Sequence, residues 1–231
     1  MKYRLCIFRK GMTYMGKISA SLLAADFANL GREVEEAVDG GCEYIHIDVM
    51  DGIFVPNISI GVPVVEALRK TTAAVFDVHL MITKPSLYLE KFIRAGADIL
   101  TVHLEAEGFT EENLRAIRAL GAKAGLTIKP ATPVSAVEKY LPLCDLLLIM
   151  TVEPGFGGQE FIAGSLGRIR EARTLIGKVN PLCELEIDGG VSEKNLVACA
   201  AAGANVFVMG SAVFADGQPK KNARRLLEII R

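Results

Sequence analysis

The feature of this sequence that most constrains its fold is an alternation, repeated eight times, of a short apolar strand and a segment with helical periodicity. The predicted strands are 18–23, 44–49, 75–80, 98–103, 124–128, 146–150, 185–188 and 206–209. Near-continuously apolar strands are typical of a parallel sheet covered by helices, and eight such strands close a barrel. We therefore predict a single (β/α)8 barrel. The alternative is a doubly wound open sheet, which needs a reversal of strand order that a sequence does not reveal.

Capping residues mark several of the predicted helices. These helices are 29–38, 64–69, 87–94, 111–120, 133–140, 166–176, 192–201 and 220–230. Pro63 suits a first turn, Thr110 is a predicted N-cap, and Thr132 followed by Pro133 predicts a capped helix start. The glycine in each Gly-Ala pair at 96–97, 121–122 and 203–204 predicts a helix end at the bottom rim of the barrel.

Composition excludes several classes of protein. The 231 residues carry a formal net charge of −1 with acids and bases interspersed, which predicts neither a nucleic-acid-binding surface nor a polybasic membrane patch. No apolar run approaches the ~20 residues of a membrane span. The five cysteines are scattered singly, which argues against a zinc knuckle or a disulfide framework and favours a reducing cytoplasm. A cytoplasmic enzyme acting on a small molecule is the expectation.

The first sixteen residues differ from the rest of the chain. Segment 1–16 holds four basic residues and no acidic one, and it lacks an apolar core long enough for a secretory signal. We expect a poorly ordered extension over 1–16, with a targeting remnant as the alternative, and the barrel domain over 17–231.

Histidine and aspartate side chains stand at the ends of three predicted strands. His46 and Asp48 are two residues apart in one strand, so their side chains lie on the same face. His79 ends the third predicted strand and Asp188 the seventh. In a barrel of this kind the active site lies where strands end, so we expect these four residues to converge and bind one divalent metal ion, with Zn, Fe(II), Mn and Co as candidates. The alternative is a chance grouping; His103 is expected to be a nearby or structural histidine.

Three glycine-rich segments follow the last three strands. They are Gly155-Phe156-Gly157-Gly158, Gly189-Gly190 and Gly210-Ser211. Glycine lets backbone amides approach an anion closely, and the late loops of this fold are the usual phosphate site. A phosphorylated small substrate is therefore predicted.

From residue 17 onward the chain resembles the ribulose-phosphate 3-epimerase family. The segments that carry the resemblance are HIDVMDG at 46–52, FVPN at 54–57, DVHLM at 77–81, MTVEPGFGGQ at 150–159, DGG at 188–190 and GSAVF at 210–214. The resemblance implies His46, Asp48, His79 and Asp188 as metal ligands and Asp48 and Asp188 as the acid/base pair. It also implies Ser21 and His79 as substrate contacts, the three glycine-rich segments as the site for a ketose phosphate, and a homo-oligomer, either dimer or hexamer.

The sequence departs from the family pattern in two places. Ala20 and Ala24 replace a proline and a serine around strand one, and Lys129 stands where asparagine is expected. Neither change touches an acid/base or metal position, but both lie near strand ends that face the sugar. The predicted reaction is interconversion of D-ribulose 5-phosphate and D-xylulose 5-phosphate. A D-allulose 6-phosphate 3-epimerase and a non-catalytic sugar-phosphate-binding barrel are the alternatives.

The predicted chemistry follows from two carboxylates. Inverting a carbon beside a ketone requires a base on one face and an acid on the other, and a metal ion stabilises the enediolate formed between the two proton transfers. Met50, Met81 and Met150 also stand at strand ends, where their thioethers could line the planar intermediate. The alternative for these methionines is ordinary core packing.

Overall fold

The fold is a closed barrel of eight parallel strands. It was obtained as a computed structural model that describes residues 16–108 and 110–230. Strands pair in sequence order, and β8 pairs with β1 to close the ring. The strands are β1 Lys17–Ser21, β2 Tyr44–Met50, β3 Val75–Met81, β4 Ile99–His103, β5 Lys123–Ile128, β6 Leu146–Met150, β7 Glu184–Asp188 and β8 Val206–Met209. The predicted barrel is confirmed and the open sheet is wrong, whereas the extension predicted at 1–16 lies outside the described residues except for Gly16.

Helices follow the strands around the outside of the barrel. They are α1 Leu30–Asp39, α2 Val62–Arg69, α3 Leu89–Ala95, α4 Thr110–Ala119, α5 Ser165–Val179, α6 Glu193–Ala202, α7 Ser211–Phe214 and α8 Pro219–Ile230. The predicted bounds agree with these to within a few residues, except for α7, which was not predicted. Among the described residues, no helix combines the length and apolarity that crossing a bilayer requires.

The segment between β5 and β6 differs from its prediction. Val134–Leu143 forms 3₁₀ turns rather than an α-helix, and Pro142 lies inside it. Because proline lacks an N–H and clashes with the preceding turn, a regular α-helix cannot continue through that position. Thr132 does not cap the segment, because Pro133 occupies the N-cap position, and the Thr132 hydroxyl instead donates a hydrogen bond to the carboxylate of Glu105. Thr110 likewise belongs to the first turn of α4 instead of preceding it.

Glycines end three helices as predicted, and Gly121 does so after α4 with φ +94° and its N–H donating to the Arg118 carbonyl. Gly96 follows α3 with φ +120° and Gly203 follows α6 with φ +115°, and both N–H groups return to helix carbonyls. Such positive φ values are easy for glycine and strained for other residues. These turns bring the chain back to the start of the next strand.

Alternation along the strands separates an outer core from the barrel interior. Ile18, Ile45 and Ile47 belong to the core between strands and helices. The inward positions are more polar. At the lower end, the first residues of β1, β2 and β7 hydrogen-bond to one another; they are Lys17, Tyr44 and Glu184. The ionisable groups of β1, β2, β3 and β7 therefore share the barrel interior with a buried apolar cluster that includes Ile99, Leu146 and Leu148.

Candidate active site

Strand register places the predicted site residues side by side. In the β2–β3 pair, His46 lies beside Asp77 and Asp48 beside His79. All four are inward-facing, because residues two apart in a strand share a face. Asp188 ends β7 on the far side of the barrel and faces the same point. The apolar alternate positions of these strands fix the register, since a shift by one residue would turn the charges into the outer core.

The four predicted metal ligands come together. One atom from each of His46, Asp48, His79 and Asp188 lies within 4.8 Å of the others. Oδ1 of Asp48 is 3.2 Å from His46 Nε2 and 3.3 Å from His79 Nδ1, and Oδ2 of Asp188 is 3.9 Å from each of those nitrogens. His46 Nε2 is buried and has no hydrogen-bond partner. Two imidazole nitrogens and two carboxylate oxygens fit a divalent transition metal, and an unpaired buried nitrogen aimed at the same point agrees with that fit.

The surroundings of Asp48 and Asp188 shift the pKa values of these two carboxylates in opposite directions. Burial acts to raise the pKa of Asp48, but His46 and His79 hold that pKa well below its usual range. Burial and the nearby charge of Asp48 instead raise the pKa of Asp188 to about 6. Burial opposes a charge on His46, yet Asp48 and Asp77 raise its pKa well above the ordinary value. Two carboxylates with pKa values pushed apart suit an acid and a base in one site.

A cleft of about 420 Å³ opens above these residues at the carboxyl ends of the strands. Asp48 and Asp188 form part of its floor. The cleft is also lined by the other residues predicted for the substrate: Ser21, Gly155, Phe156, Gly157, Gly158, Gly189, Gly190, Gly210, Ser211, Met50, Met81 and Met150. His79 is the exception, because it is fully buried and does not line the cleft. Its direct contact with the substrate stays a prediction.

The start of α6 contributes residues that the sequence interpretation missed. Ser192, Lys194 and Asn195 line the cleft beside Gly190. Asn195 and Ser192 form a capping box, and the Asn195 amide also donates to the Gly190 carbonyl at 2.9 Å. A Cβ on Gly190 would lie 2.4 Å from the backbone nitrogen of Phe161, so only glycine fits there. The sequence could have indicated these α6 residues, because a helix that begins directly after paired glycines presents its N-terminal amides to the same site as the glycines.

Two further buried carboxylates lie below the ligand cluster. Asp77 Oδ2 is 2.6 Å from His46 Nδ1 and accepts a hydrogen bond from Ser19 at 3.0 Å. Glu186 Oε1 is 3.9 Å from the same nitrogen. Burial and the charge of Asp77 raise the pKa of Glu186 well above its usual value, whereas His46 outweighs burial and lowers the pKa of Asp77. Both stand two residues before a predicted ligand, so strand alternation could have identified them.

His103 has partners that the sequence did not suggest. Its Nε2 lies 2.9 Å from Nε2 of His79, and its Nδ1 lies 3.3 Å from Oε2 of Glu105. Burial lowers the pKa of His103 to about 4. Burial acts to raise the pKa of Glu105, but hydrogen bonds from His103, Thr132 and the backbone of Lys129 lower it to about 2. His103 therefore belongs to a buried chain of contacts that ends at a predicted metal ligand.

Comparison with known proteins decides the family. The model of the ribulose-phosphate 3 epimerase family matches residues 17–214. The chain belongs to this family. Ribulose-phosphate 3-epimerase of Bacillus subtilis is 47% identical over 210 residues, which cover 90% of this chain and 96% of that protein. The enzyme of the same name from Rhodobacter capsulatus is 47% identical over 201 residues, covering 87% of each chain. The predicted family, and with it the isomerase class, is confirmed.

Solved structures of lower identity share only the fold. KGPDC from Streptococcus mutans superposes with a TM-score of 0.68 at 14% identity, covering 94% of this chain and 97% of that one. 3-Hexulose-6-phosphate synthase gives a TM-score of 0.63 at 19% identity, with 93% and 99% covered. The same barrel therefore occurs in chains whose sequences differ widely from this one.

The departures from the family pattern occupy different surroundings. Ala24, which replaces the expected serine, lines the cleft. Ala20 is fully buried in the outer core. Lys129 does not line the cleft, and its ammonium lies 3.9 Å from the ring centre of Phe54. Of the three changes, only the one at Ala24 lines the cleft.

Proposed function

We propose that this protein is a metal-dependent ribulose-phosphate 3-epimerase that interconverts D-ribulose 5-phosphate and D-xylulose 5-phosphate. The observation that carries the proposal is the meeting of Asp48 and Asp188 with two imidazoles on the floor of one cleft. The carboxylates come from β2 and β7, so they can address a bound sugar from two directions. Membership of the family supports the same reaction.

Two proton transfers account for the inversion. One carboxylate takes the proton from C3, and the electrons of the broken C–H bond move toward the C2 carbonyl to give an enediolate. The other carboxylate then gives a proton to C3 on the opposite face, and the carbonyl is restored. Ser21 Oγ donates to Asp48 Oδ2 at 2.9 Å, which leaves Oδ1 of Asp48 directed at the two imidazoles. Asp48 is thus held in one orientation.

His46, Asp48, His79 and Asp188 would together hold the divalent ion. When bound there, the ion supplies Lewis-acid stabilisation for negative charge on the substrate oxygens. The chemistry of these donors fits Zn, Fe(II), Mn or Co, and it offers no basis for choosing among them. The contribution of the chain is to bury both imidazoles completely, so that their nitrogens face the cluster and not water.

The upper part of the cleft would bind the phosphate. Gly190 and the N-terminal turn of α6 present backbone amides there, and Lys194 adds a positive charge. A helix N-terminus favours an anion because its first N–H groups lack intrahelical partners. The loops at 155–158 and 210–211 would complete this site. Met50, Met81 and Met150 would provide an apolar surface over the planar enediolate, since all three line the cleft.

A side-by-side substrate assay tests the proposal. Metal-loaded enzyme is supplied with D-ribulose 5-phosphate or D-allulose 6-phosphate, and kcat/KM is measured for each. We expect the pentulose phosphate to be preferred. No turnover of either sugar would contradict an epimerase and would leave a sugar-phosphate-binding barrel.

A hexulose phosphate remains the second candidate because of one observation. Ala24 lines the cleft where the family pattern has serine, so a hydroxyl that could bind a five-carbon sugar is missing. A site that loses a hydrogen-bonding group discriminates less strongly between related substrates. If this candidate is correct, Ala24→Ser will shift the ratio of kcat/KM values toward D-ribulose 5-phosphate.

We also propose a cytoplasmic homo-oligomer, either a dimer or a hexamer. Cys42, Cys144, Cys183 and Cys199 are buried free thiols, which agrees with a reducing compartment. The side chains of Ile53, Ile58 and Leu87 are 79%, 78% and 63% exposed, and such apolar exposure is typical of interaction surfaces. Light scattering after size-exclusion chromatography will give the mass, and a monomer at micromolar concentration would contradict the proposal.

A further inference from the structure

A buried chain of hydrogen bonds leads from the ligand cluster to a loop outside it. His79 Nδ1 faces Asp48 and Asp188, and His79 Nε2 is 2.9 Å from Nε2 of His103. A neutral imidazole has one nitrogen that donates and one that accepts. Only one of the two facing Nε2 atoms can therefore carry the hydrogen of this bond. Its position decides whether Nδ1 of His79 has a free lone pair.

Glu105 determines which group donates and which accepts at each link of this chain of hydrogen bonds. Its Oε1 accepts hydrogen bonds from the backbone N–H of Lys129 at 2.8 Å and from the hydroxyl of Thr132. Its Oε2 faces His103 Nδ1 at 3.3 Å. An ionised carboxylate can only accept, so the hydrogen between these two groups must belong to His103 Nδ1.

Burial keeps the His103 ring neutral. The side chain is 1% exposed, and the ring of Phe54 lies against it with the centroids 4.7 Å apart. The ammonium of Lys129 lies 3.9 Å from the centre of that same Phe54 ring, so a second positive charge on His103 would be both desolvated and repelled. With its single hydrogen on Nδ1, His103 offers a bare Nε2, which accepts from His79 Nε2–H.

We propose that Glu105 acts through His103 as a positioning residue that holds the hydrogen of His79 on Nε2 and leaves Nδ1 free to bind the divalent ion. The inference rests on the metal site proposed above. Asp77 holds the corresponding position behind His46, because it lies 2.6 Å from Nδ1 of that ring while Nε2 faces Asp48. Hydrogen-bonded carboxylates behind metal-binding histidines fix the tautomer in this way in many metal sites.

The hydrogen between His79 and His103 can be located directly, because the protein contains only three histidines. Two are proposed metal ligands and the third is His103, which contacts one of them. Nitrogen NMR of enzyme with ¹⁵N-labelled histidine will therefore show only these rings. We expect hydrogen on His79 Nε2 and His103 Nδ1, a bare His103 Nε2, and a coupling between the two Nε2 nuclei through the hydrogen bond. Hydrogen on His103 Nε2 would overturn the proposal. This measurement needs no variant and is made with and without Zn²⁺.

Glu105→Gln tests whether the carboxylate is the cause. Glutamine has the same shape, but its NH₂ group can donate to His103 Nδ1 and so permits the reversed hydrogen direction. We expect the hydrogen to move at least partly to His103 Nε2, and the affinity for Zn²⁺, measured by competition with a chromophoric chelator, to fall by about 10- to 100-fold. Unchanged affinity together with an unchanged hydrogen position would overturn the proposal.

Thr132→Val is the matched control. It removes a hydrogen bond to Glu105 and loosens the same loop, yet it leaves the carboxylate facing His103. We expect wild-type Zn²⁺ affinity and the wild-type hydrogen position. If Thr132→Val weakens Zn²⁺ binding as much as Glu105→Gln does, Glu105 acts only by anchoring the loop and the proposal fails. If the wild-type enzyme binds no divalent ion, the metal site itself is wrong, and the NMR spectra still decide where the hydrogen lies.

Discussion

At the scale of single residues, Asp48 links the cleft to the buried interior. One of its oxygens accepts from Ser21, and the other faces His46 and His79. Asp188 has fewer partners, and its side chain is 17% exposed compared with 4% for Asp48. The two carboxylates therefore differ in hydrogen bonding and exposure as well as in pKa. In the proposed reaction, however, each carries out one proton transfer.

Replacing either carboxylate is expected to abolish epimerisation. Asp48→Asn and Asp188→Asn each remove one acid/base group, which is typically worth about 10²- to 10⁴-fold in rate, and each also removes a proposed metal ligand. The measurement is kcat at saturating metal. Asp39→Asn, at the exposed end of α1, is the control and should retain the wild-type rate. A variant at 48 or 188 that keeps most of its kcat would exclude the two-carboxylate mechanism.

The source of the returning proton gives a second prediction. Because Asp48 and Asp188 stand on different strands, one carboxylate should receive the proton taken from C3 and the other should supply the proton returned to it. Turnover in heavy water is then expected to place deuterium at C3 of nearly every early product molecule. Mass spectrometry of product collected before appreciable reversal measures the label. Retention of most of the original hydrogen would mean that one residue serves both faces.

The residues of the cluster were predictable where strand alternation and position agree. His46, Asp48, His79 and Asp188 stand at strand ends, and the barrel brings such ends together. Glu105 was not predictable in the same way. It follows β4 in a loop, and its contact with His103 depends on the path that the chain takes toward Lys129.

At the scale of elements, tight packing between strands and helices depends on a few small residues. A Cβ on Gly125 in β5 would lie 2.0 Å from Oγ1 of Thr101 in β4. A Cβ on Gly96 would lie 2.4 Å from Cδ of Arg69. On α5, in contrast, Gly177 is exposed and a Cβ there would have nothing within 4 Å. The loss of stability caused by adding one methyl group to a glycine therefore depends strongly on the element that contains it.

Gly177→Ala is expected to stabilise the protein by about 0.5–1 kcal/mol. Glycine inside a helix loses more backbone entropy on folding than alanine, and the added methyl group meets no neighbour. The free energy of unfolding is measured by urea denaturation. Gly96→Ala is the opposite case, because its φ of +120° and its contact with Arg69 are expected to destabilise by at least about 1 kcal/mol. Loss of stability in Gly177→Ala would show that α5 has an unrecognised contact at that position.

Element boundaries followed from sequence wherever proline and glycine marked them clearly. The turns at Gly96 and Gly203 are examples, and all eight strands were located. The failure lies at 134–143, where helical periodicity suggested an α-helix. There Pro142 prevents an α-helix from continuing to the end of the segment, and the hydroxyl of Thr132 donates to Glu105 while no side chain caps the segment.

At the scale of the whole molecule, the proposed metal ligands belong to β2, β3 and β7. The ligand set therefore joins strands that lie on opposite sides of the barrel. A ligand that binds only the folded state stabilises it by mass action. The ion would consequently affect folding as well as activity.

Dialysis against a strong chelator is expected to remove both activity and part of the thermal stability. With free metal at 100 times Kd, the stabilisation amounts to about 2.7 kcal/mol, so Tm should fall on removal and recover when a divalent ion is added back. The checks are epimerase activity, Tm and elemental analysis of the same samples. Full activity in a preparation free of metal would leave the carboxylates as an unassisted acid/base pair.

The group formed by Lys17, Tyr44 and Glu184 has a consequence for the kinetics. These side chains hydrogen-bond across the lower end of the barrel, while the cleft opens at the other end. Substrate and product must then use the same entrance, and the next sugar cannot bind until the previous one has left. Each epimer should therefore act as a simple competitive inhibitor of the reaction in the other direction. An analogue that binds in the cleft and blocks its opening should slow the forward and reverse epimerisation to the same extent.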